Sequence, residues 1–436
     1  MTDRVPPTGL PVEEVVDAVR AALAGPGAAV LQAEPGAGKT TVVPLRLLDE
    51  AWLDGGRIVV LEPRRLAARA AARRMADLLG EPVGETVGYR TRDERRVGRS
   101  SRIEVVTEGI LTRRLQADPS LPGTALVVFD EVHERHLQTD LTLAFALDVR
   151  AGLRPDLRLL AMSATLDAGR LARLLGGDAG PAPVITSEGR TFPVEVRWRP
   201  PAPRARPLDA VAAVVHEAVR DEAGDVLVFL PGAAAIRQVA GRLGDLPPDV
   251  DVRPLFGNLS TEDQDRALAP SPPGRRRVVL ATDIAESSLT VDGVRVVVDG
   301  GQVRRPRHDA RAGMSRLHTG ASSRASADQR AGRAGRLGPG VTYRVWSQGE
   351  HAGRRAFTPP EIAAADLTDL ALELAVWGGG ADLAFLDPPP PTALGHAVEL
   401  LVRLGAIDAA GRPTPTGRRM VELPLHPRLA HLVVVD

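Results

Sequence analysis

Seven short runs, AAVLQ, RIVVL, ALVVF, LRLLAMS, DVLVF, RRVVLA and VRVVVD, are built from Val, Leu, Ile and Ala with almost no polar alternation. A strand half-exposed to water alternates apolar and polar residues, so runs like these read as strands buried on both faces of parallel sheets covered by helices. Stretches with helical spacing, Thr40 to Trp52, Leu66 to Leu79 and Leu137 to Val149, lie between them and supply that cover. Each run ends in a small polar cluster, and in open parallel sheets ligands bind at the carboxyl ends of strands. The polar clusters therefore fall where chemistry is expected.

The series divides near EGRTFPVEV, Glu188 to Val196, and the Pro-rich WRPPAPRARP after it. The expected organisation is an α/β domain over 1–190, a second over 191–357, a winged-helix-like domain over 358–422 and the start of a truncated helical bundle over 423–436. Within the third part, a helical region spans Ile362 to Trp377. The winged helix would comprise a helix over Thr392 to Leu404, a turn at Gly405, a strand-like Ala406 to Pro415 and a helix from Thr416. A length of 436 residues suits two or three domains, and 44% hydrophobic with 25% charged residues is the balance of an ordinary globular protein. No apolar run approaches the roughly 20 residues that span a bilayer, and the start lacks a signal-peptide layout, so a cytoplasmic protein without a membrane partner is expected. The absence of cysteine excludes disulfides, thiolate metal sites and cysteine nucleophiles.

Net charge is zero, but the arginines cluster, at Arg64, Arg65, Arg69, Arg73 and Arg74, from Arg90 to Arg102 and from Arg304 to Arg316. Such windows are solvated faces or phosphate-binding surfaces, and charge alone does not decide between them. Among the 55 lysines and arginines, Lys39 is the only lysine. Asparagine occurs once and Ala, Arg, Gly and Pro abound, the bias of GC-rich bacterial codons, so a lysine retained against it points to chemistry.

Lys39 lies in AEPGAGKTT, between a strand run and a helix. A phosphate-binding loop asks for Gly, four residues and then Gly-Lys-Ser/Thr. Gly38, Lys39 and Thr40 fit, and Ala33 replaces the first glycine. Backbone N–H groups of Gly36, Ala37, Gly38, Lys39, Thr40 and Thr41 would cradle phosphates, with glycine allowing close approach. The Lys39 ammonium would reach the β- and γ-phosphates and the Thr40 hydroxyl would hold Mg²⁺. A compact ammonium suits this cradle better than a planar guanidinium. In LVVFDEVH, Asp130 would hold the metal and Glu131 would orient and deprotonate the attacking water. Unpaired carboxylates at a buried strand end are costly without a cation. His133 reads equally as a packed imidazole or a site residue. In QRAGRAGR, Arg333 and Arg336 share a helical face. On domain closure they would stabilise charge on the transferring phosphoryl, an effect of about 10³ to 10⁵ in rate.

With these motifs in order, PGAGKTT, PRRLAARAAARR, TEGILTRRL, DEVHER, SAT, VFLPG, ATDIAESSLTVDGV and QRAGRAGR, nearly the whole chain resembles the superfamily 2 helicases of the DEAH-box class, bacterial HrpB type. The resemblance implies two tandem RecA-like domains followed by a winged helix, ATP with Mg²⁺ between the two domains, and single-stranded nucleic acid, RNA rather than DNA, across both. It further implies that Gln329 contacts the phosphate end with Arg333 and Arg336, that His133 links the domains near Gln329, and that Ser163 and Thr165 couple hydrolysis to movement. Ser288 and Asp292 would line the nucleotide cleft, and Arg65, Thr107, Gly232 and Thr282 would line the nucleic-acid track. Leu268 stands where relatives have a base-stacking aromatic and Arg74 is the candidate for the other side of the base, so several NTPs besides ATP are expected. Val for Ala in DEVH leaves the chemistry intact, and Asp283 stands where the class has Asn. The implied activity is an NTP-driven 3′-to-5′ RNA helicase. A nucleotide-dependent remodeller that does not unwind, and a DNA-directed helicase, remain open at this point.

Overall fold

The computed structural model describes residues 5–164, 168–189, 192–286, 289, 291–309, 313–380 and 382–435. By contact the chain forms two compact units. One holds Met1–Glu188, Arg307–Arg316 and Pro359–Asp436, and the other holds Gly189–Pro306 and Leu317–Thr358.

The first unit is built on an eight-stranded sheet ordered β4-β3-β5-β2-β6-β7-β1-β8. Its strands are β1 (Ala28–Ala33), β2 (Arg57–Leu61), β3 (Val87–Arg90), β4 (Arg95–Arg96), β5 (Ile103–Val106), β6 (Thr124–Phe129), β7 (Arg158–Ser163) and β8 (Val184–Ser187). All neighbours pair in parallel except β3 with β4. The unbroken apolar runs have the cause inferred from sequence. Val59, Leu61, Val127 and Phe129 enter one core, whereas Ile58, Val60, Leu126 and Val128 enter the core on the opposite face. Helix Arg65–Leu79 covers the second of these faces through Ala68, Ala72 and Met75, and helix Leu137–Gly152 covers the first through Leu141 and Phe145.

The C-terminal helices Thr368–Trp377, Pro391–Arg403, Pro415–Val421 and Pro427–Val435 add Leu370, Leu374, Leu401, Met420 and Ala430 to that first core. The join is specific. Trp377 stacks on Phe145 with ring centroids 4.1 Å apart, and its indole N–H donates to Asp148 at 2.8 Å. The helix expected from Ile362 begins instead at Thr368, because the Asp366 carboxylate accepts the Thr368 N–H at 2.9 Å, after a separate 3₁₀ turn at Glu361–Ala363. The strand-like Ala406 to Pro415 is reduced to one bridge, Ile407 with Pro413. The helix expected over Thr40 to Trp52 stops at Arg46, with Pro44 inside it removing one backbone donor.

The second unit has six parallel strands ordered β11-β12-β10-β13-β16-β9. They are β9 (Val194–Trp198), β10 (Asp225–Phe229), β11 (Val250–Leu255), β12 (Arg276–Ala281), β13 (Val294–Asp299) and β16 (Gly340–Arg344). A separate two-stranded ribbon, β14 (Gln302–Asp309) and β15 (Met314–Ala321), springs from the end of β13, in the basic segment noted from sequence. Arg277 on β12 is fully buried, with its Nε bonded to Asp225 Oδ2 at 2.8 Å and its N–H to Asp225 Oδ1 at 3.0 Å. Among the described residues no helix is long and apolar enough to cross a membrane.

Candidate functional site

Strands β6, β7 and β1 are neighbours, and their carboxyl ends carry Asp130, Ser163 and the Gly-rich loop. Gly36 and Gly38 both adopt left-handed φ, +93° and +94°. A Cβ on Gly38 would come within 2.9 Å of Leu10 Cδ1 and 3.2 Å of Val12 Cγ1, so the loop needs glycine there on two counts. Gly38 caps helix Lys39–Arg46. Among the described residues the N–H groups of Gly36, Gly38, Lys39 and Thr40 find no acceptor, which leaves a nest of donors at a helix start. Against expectation, the N–H groups of Ala37 and Thr41 are taken up within the loop: Ala37, which is buried, donates to Glu34 O at 3.2 Å while its carbonyl accepts the Val12 N–H at 3.1 Å, and half-buried Thr41 donates to Gly38 O at 3.2 Å.

The side chains converge. Lys39 Nζ lies 3.4 Å from Glu131 Oε1, with both side chains nearly inaccessible. The Thr40 hydroxyl donates to Asp130 Oδ2, and Asp130 Oδ1 accepts the Glu131 N–H at 2.8 Å. Burial pushes Asp130 up to about 7, helped by the charge of Glu131, and Lys39 and Thr40 offset this only in part. Glu131 Oε2 is buried without a hydrogen bond among the described residues and faces His133 Nδ1 at 3.4 Å. That nitrogen accepts the Ala164 N–H at 3.2 Å, which requires its lone pair, so His133 carries its proton on Nε2 in this arrangement. Glu131 itself has φ +53°, a strained backbone for a residue with a side chain. A carboxylate that burial has driven toward neutrality, bonded to a threonine hydroxyl beside a nest of free N–H donors, is a donor set that fits Mg²⁺ with an NTP. No cluster of three or more His, Asp or Glu able to hold a metal occurs among the described residues.

In the second unit, Gln329 lies half-buried on helix Arg324–Gly332. The helix tightens at its end into a 3₁₀ turn at Arg333–Gly335, where positions three apart still share a side. Arg333 is buried, its Nε donating to Glu286 O at 3.0 Å and its Nη1 to Leu289 O, whereas Arg336 is half-buried. Sequence reasoning passed over Arg330. It is fully buried, pairs with Glu286 and Asp299 at 2.9 Å each, and sits over the Phe229 ring. Asp292 is exposed, and its carbonyl accepts Arg277 Nη2. Ser288 and Thr165 lie outside the described residues.

The track candidates occupy equivalent places in the two units. Arg65 opens the helix after β2 and Thr107 caps the helix after β5, and β2 pairs with β5. Gly232 follows β10 and Thr282 follows β12, and these strands also pair. Arg65 is half-exposed and paired with Asp93, and Thr282 accepts the Ile284 N–H. Of the two candidates for holding the base, Arg74 is exposed and makes no hydrogen bond or ion pair among the described residues, and Leu268 is half-buried at the end of helix Thr261–Leu268.

Residues 16–174 match the DEAD/DEAH box helicase family, residues 209–338 the helicase conserved C-terminal domain, and residues 397–425 the winged-helix helicase associated domain (HA2). The chain is 48% identical over 433 residues to the ATP-dependent RNA helicase HrpB of Escherichia coli (strain K12), covering 98% of this chain and 52% of that protein. It is 36% identical to the pre-mRNA-splicing factor ATP-dependent RNA helicase prp22 of Schizosaccharomyces pombe, over 98% of this chain and 37% of that protein. The crystal structure of Escherichia coli DEAH/RHA helicase HrpB superposes with a TM-score of 0.92 at 48% identity, over 98% of this chain and 54% of that one. The chain thus spans about half the length, or less, of these relatives.

Proposed function

Since the chain belongs to the DEAD/DEAH box helicase family, in its DEAH class and HrpB type, we propose that it is an NTP-driven RNA helicase that translocates 3′ to 5′ on single-stranded RNA. The observation that carries this reading is the convergence of Lys39, Thr40, Asp130 and Glu131 at the carboxyl ends of close strands, over a nest of free N–H groups. RNA as the polymer rests on the names of HrpB and prp22.

The loop N–H groups of Gly36, Gly38, Lys39 and Thr40 bind the NTP phosphates, and Lys39 turns from Glu131 to the β/γ edge. Thr40 and Asp130 would hold Mg²⁺, and for that their mutual hydrogen bond opens and Asp130 gives up its proton. Bound there, Mg²⁺ supplies positive charge that neutralises the phosphate oxygens. Glu131, released by Lys39, orients the attacking water and takes its proton. His133 holds the Glu131 turn against the end of β7 through Ala164. Arg333 and Arg336 stabilise charge on the transferring phosphoryl, and Gln329, Ser288 and Asp292 complete the nucleotide contacts. Arg65, Thr107, Gly232 and Thr282 contact phosphate and sugar, so binding is tolerant of base sequence and weakens with salt. With Arg74 and Leu268 in place of an aromatic pair, ATP and other NTPs are accepted.

The test is NTP hydrolysis with and without single-stranded RNA or DNA, followed by displacement of a duplex with a 3′ overhang. RNA-stimulated hydrolysis with displacement only from the 3′ overhang supports the proposal. Stimulation by DNA alone, or stimulation without displacement, contradicts it.

A further inference from the structure

The turn after Glu131 sends four successive side chains to four different elements. His133 accepts the Ala164 N–H at the end of β7. Glu134 takes Arg64 Nη2 on both carboxylate oxygens, at 2.9 Å and 3.0 Å. Arg135 pairs with Asp140 at 2.9 Å and with Asp387, just before the helix Pro391–Arg403, at 2.6 Å. His136 Nε2 lies 2.8 Å from Glu134, and its Nδ1 lies 4.0 Å from Glu108. Arg64 directly precedes Arg65, and Glu108 directly follows Thr107. The two loops assigned to nucleic acid in this unit are therefore joined, through four ionisable side chains, to the loop that carries Glu131.

Arg64, Glu134 and His136 are charged together, whereas burial pushes Glu108 upward and His136 and Thr139 offset this only in part. Burial pushes Glu134 upward, but Arg64 and His136 outweigh it and hold it well below the usual carboxylate range, and His136, which burial alone would lower, is raised to about 9 by Glu134 and Glu108. Partly buried ion clusters of this kind contribute little net stability against apolar packing, and their best-attested use is to fix a geometry. A geometry in need of fixing is present. The turn is bracketed by Glu131 and Arg135, which have φ +53° and +56°, conformations that persist only when surroundings hold them.

We propose that Arg64, Glu134, His136 and Glu108 are positioning residues through which bound nucleic acid speeds NTP hydrolysis, by setting the turn that aims Glu131. This rests on the proposed NTPase and its nucleic-acid track. A shift of the loop at Arg65 or Thr107 on binding a strand displaces Arg64 or Glu108, and the shared carboxylate of Glu134 carries the displacement to a point three residues from Glu131.

The experiment measures ATP hydrolysis by the full chain across a titration of poly(U), for wild type, Arg64→Gln, His136→Gln and Arg64→Lys. The glutamine variants are expected to keep the unstimulated rate within about twofold and the same half-saturating poly(U), while maximal stimulation falls by about fivefold or more. Arg64→Lys is expected to retain most of the stimulation, because a single nitrogen of Arg64 makes both contacts to Glu134 and an ammonium can replace it. Full stimulation in Arg64→Gln overturns the proposal. So does a proportional fall in basal and stimulated rates, which marks a purely structural cluster, and so does a raised half-saturation with full maximal stimulation, which marks Arg64 as a direct contact. A wild type that hydrolyses ATP but responds to neither poly(U) nor poly(dT) overturns the nucleic-acid reading itself.

Discussion

Replacing Asp130 with Asn should make the metal-free protein more stable at neutral to alkaline pH while abolishing hydrolysis. Asp130 is fully buried and raised from 3.8 to about 7, first by burial and then by Glu131. Across that window the native state keeps a proton that the unfolded chain has lost. The contribution of Asp130 to stability is therefore greatest below 3.8, falls as pH rises toward 7, and levels off above it. Holding the charge across this window costs ~4 kcal/mol. The Asn amide can serve only one of the two acceptor roles of Asp130 unless the Thr40 hydroxyl rotates to accept, and that reduces the expected gain to about 2 kcal/mol. Urea unfolding in EDTA, followed by circular dichroism at pH 4 and pH 8, reads the difference. Asp130→Asn should be more stable at pH 8 and near wild type at pH 4, and Mg²⁺ with ATP should stabilise only the wild type. A variant less stable than wild type at pH 8 without metal would refute the reasoning.

Three further outcomes follow from named contacts. Gly38→Ala forces a side chain into a left-handed turn 2.9 Å from Leu10 Cδ1, at roughly 1–2 kcal/mol for the backbone and about 1–3 for crowding, and calorimetric titration should show ATP affinity lowered by at least about tenfold. Trp377→Ala removes the stack on Phe145 and the bond to Asp148, destabilises the first unit by about 3 kcal/mol, and should expose the C-terminal helices to limited proteolysis. Arg277→Met leaves Asp225 buried without its partner and should cost about 3–5 kcal/mol by urea unfolding, part of which Asp225→Asn in the same chain should restore.

Much of the fold was readable because buried parallel strands have an unmistakable pattern. All seven apolar runs, from Ala28–Ala33 to Val294–Asp299, are strands, and in the first unit their neighbouring residues face opposite cores. Strands that carry charge hid. Val250–Leu255 and Val194–Trp198 lie at the edges of the second sheet, where half-exposed faces accept Asp251, Arg253 and Glu195. The P-loop and the DEVH turn were legible because their chemistry is local, with Lys39 near Thr40 and Asp130 beside Glu131. The buried arginines were not. Arg277 and Arg330 read as charge, and their burial depends on Asp225, Asp299 and Glu286, partners tens of residues away. In the same way, nothing near Glu134 in sequence pointed to Arg64, 70 residues earlier.

In the proposed reaction Glu131 activates water for attack on an NTP held by Lys39 and Thr40. The most direct measurement compares wild type and Glu131→Gln in ATP binding and in poly(U)-stimulated hydrolysis under the same conditions. Glutamine keeps the shape and can still accept from Lys39 but cannot take a proton, so the variant should bind ATP at least as well while hydrolysis falls by about 10² or more. Hydrolysis by Glu131→Gln at the wild-type rate would contradict the account.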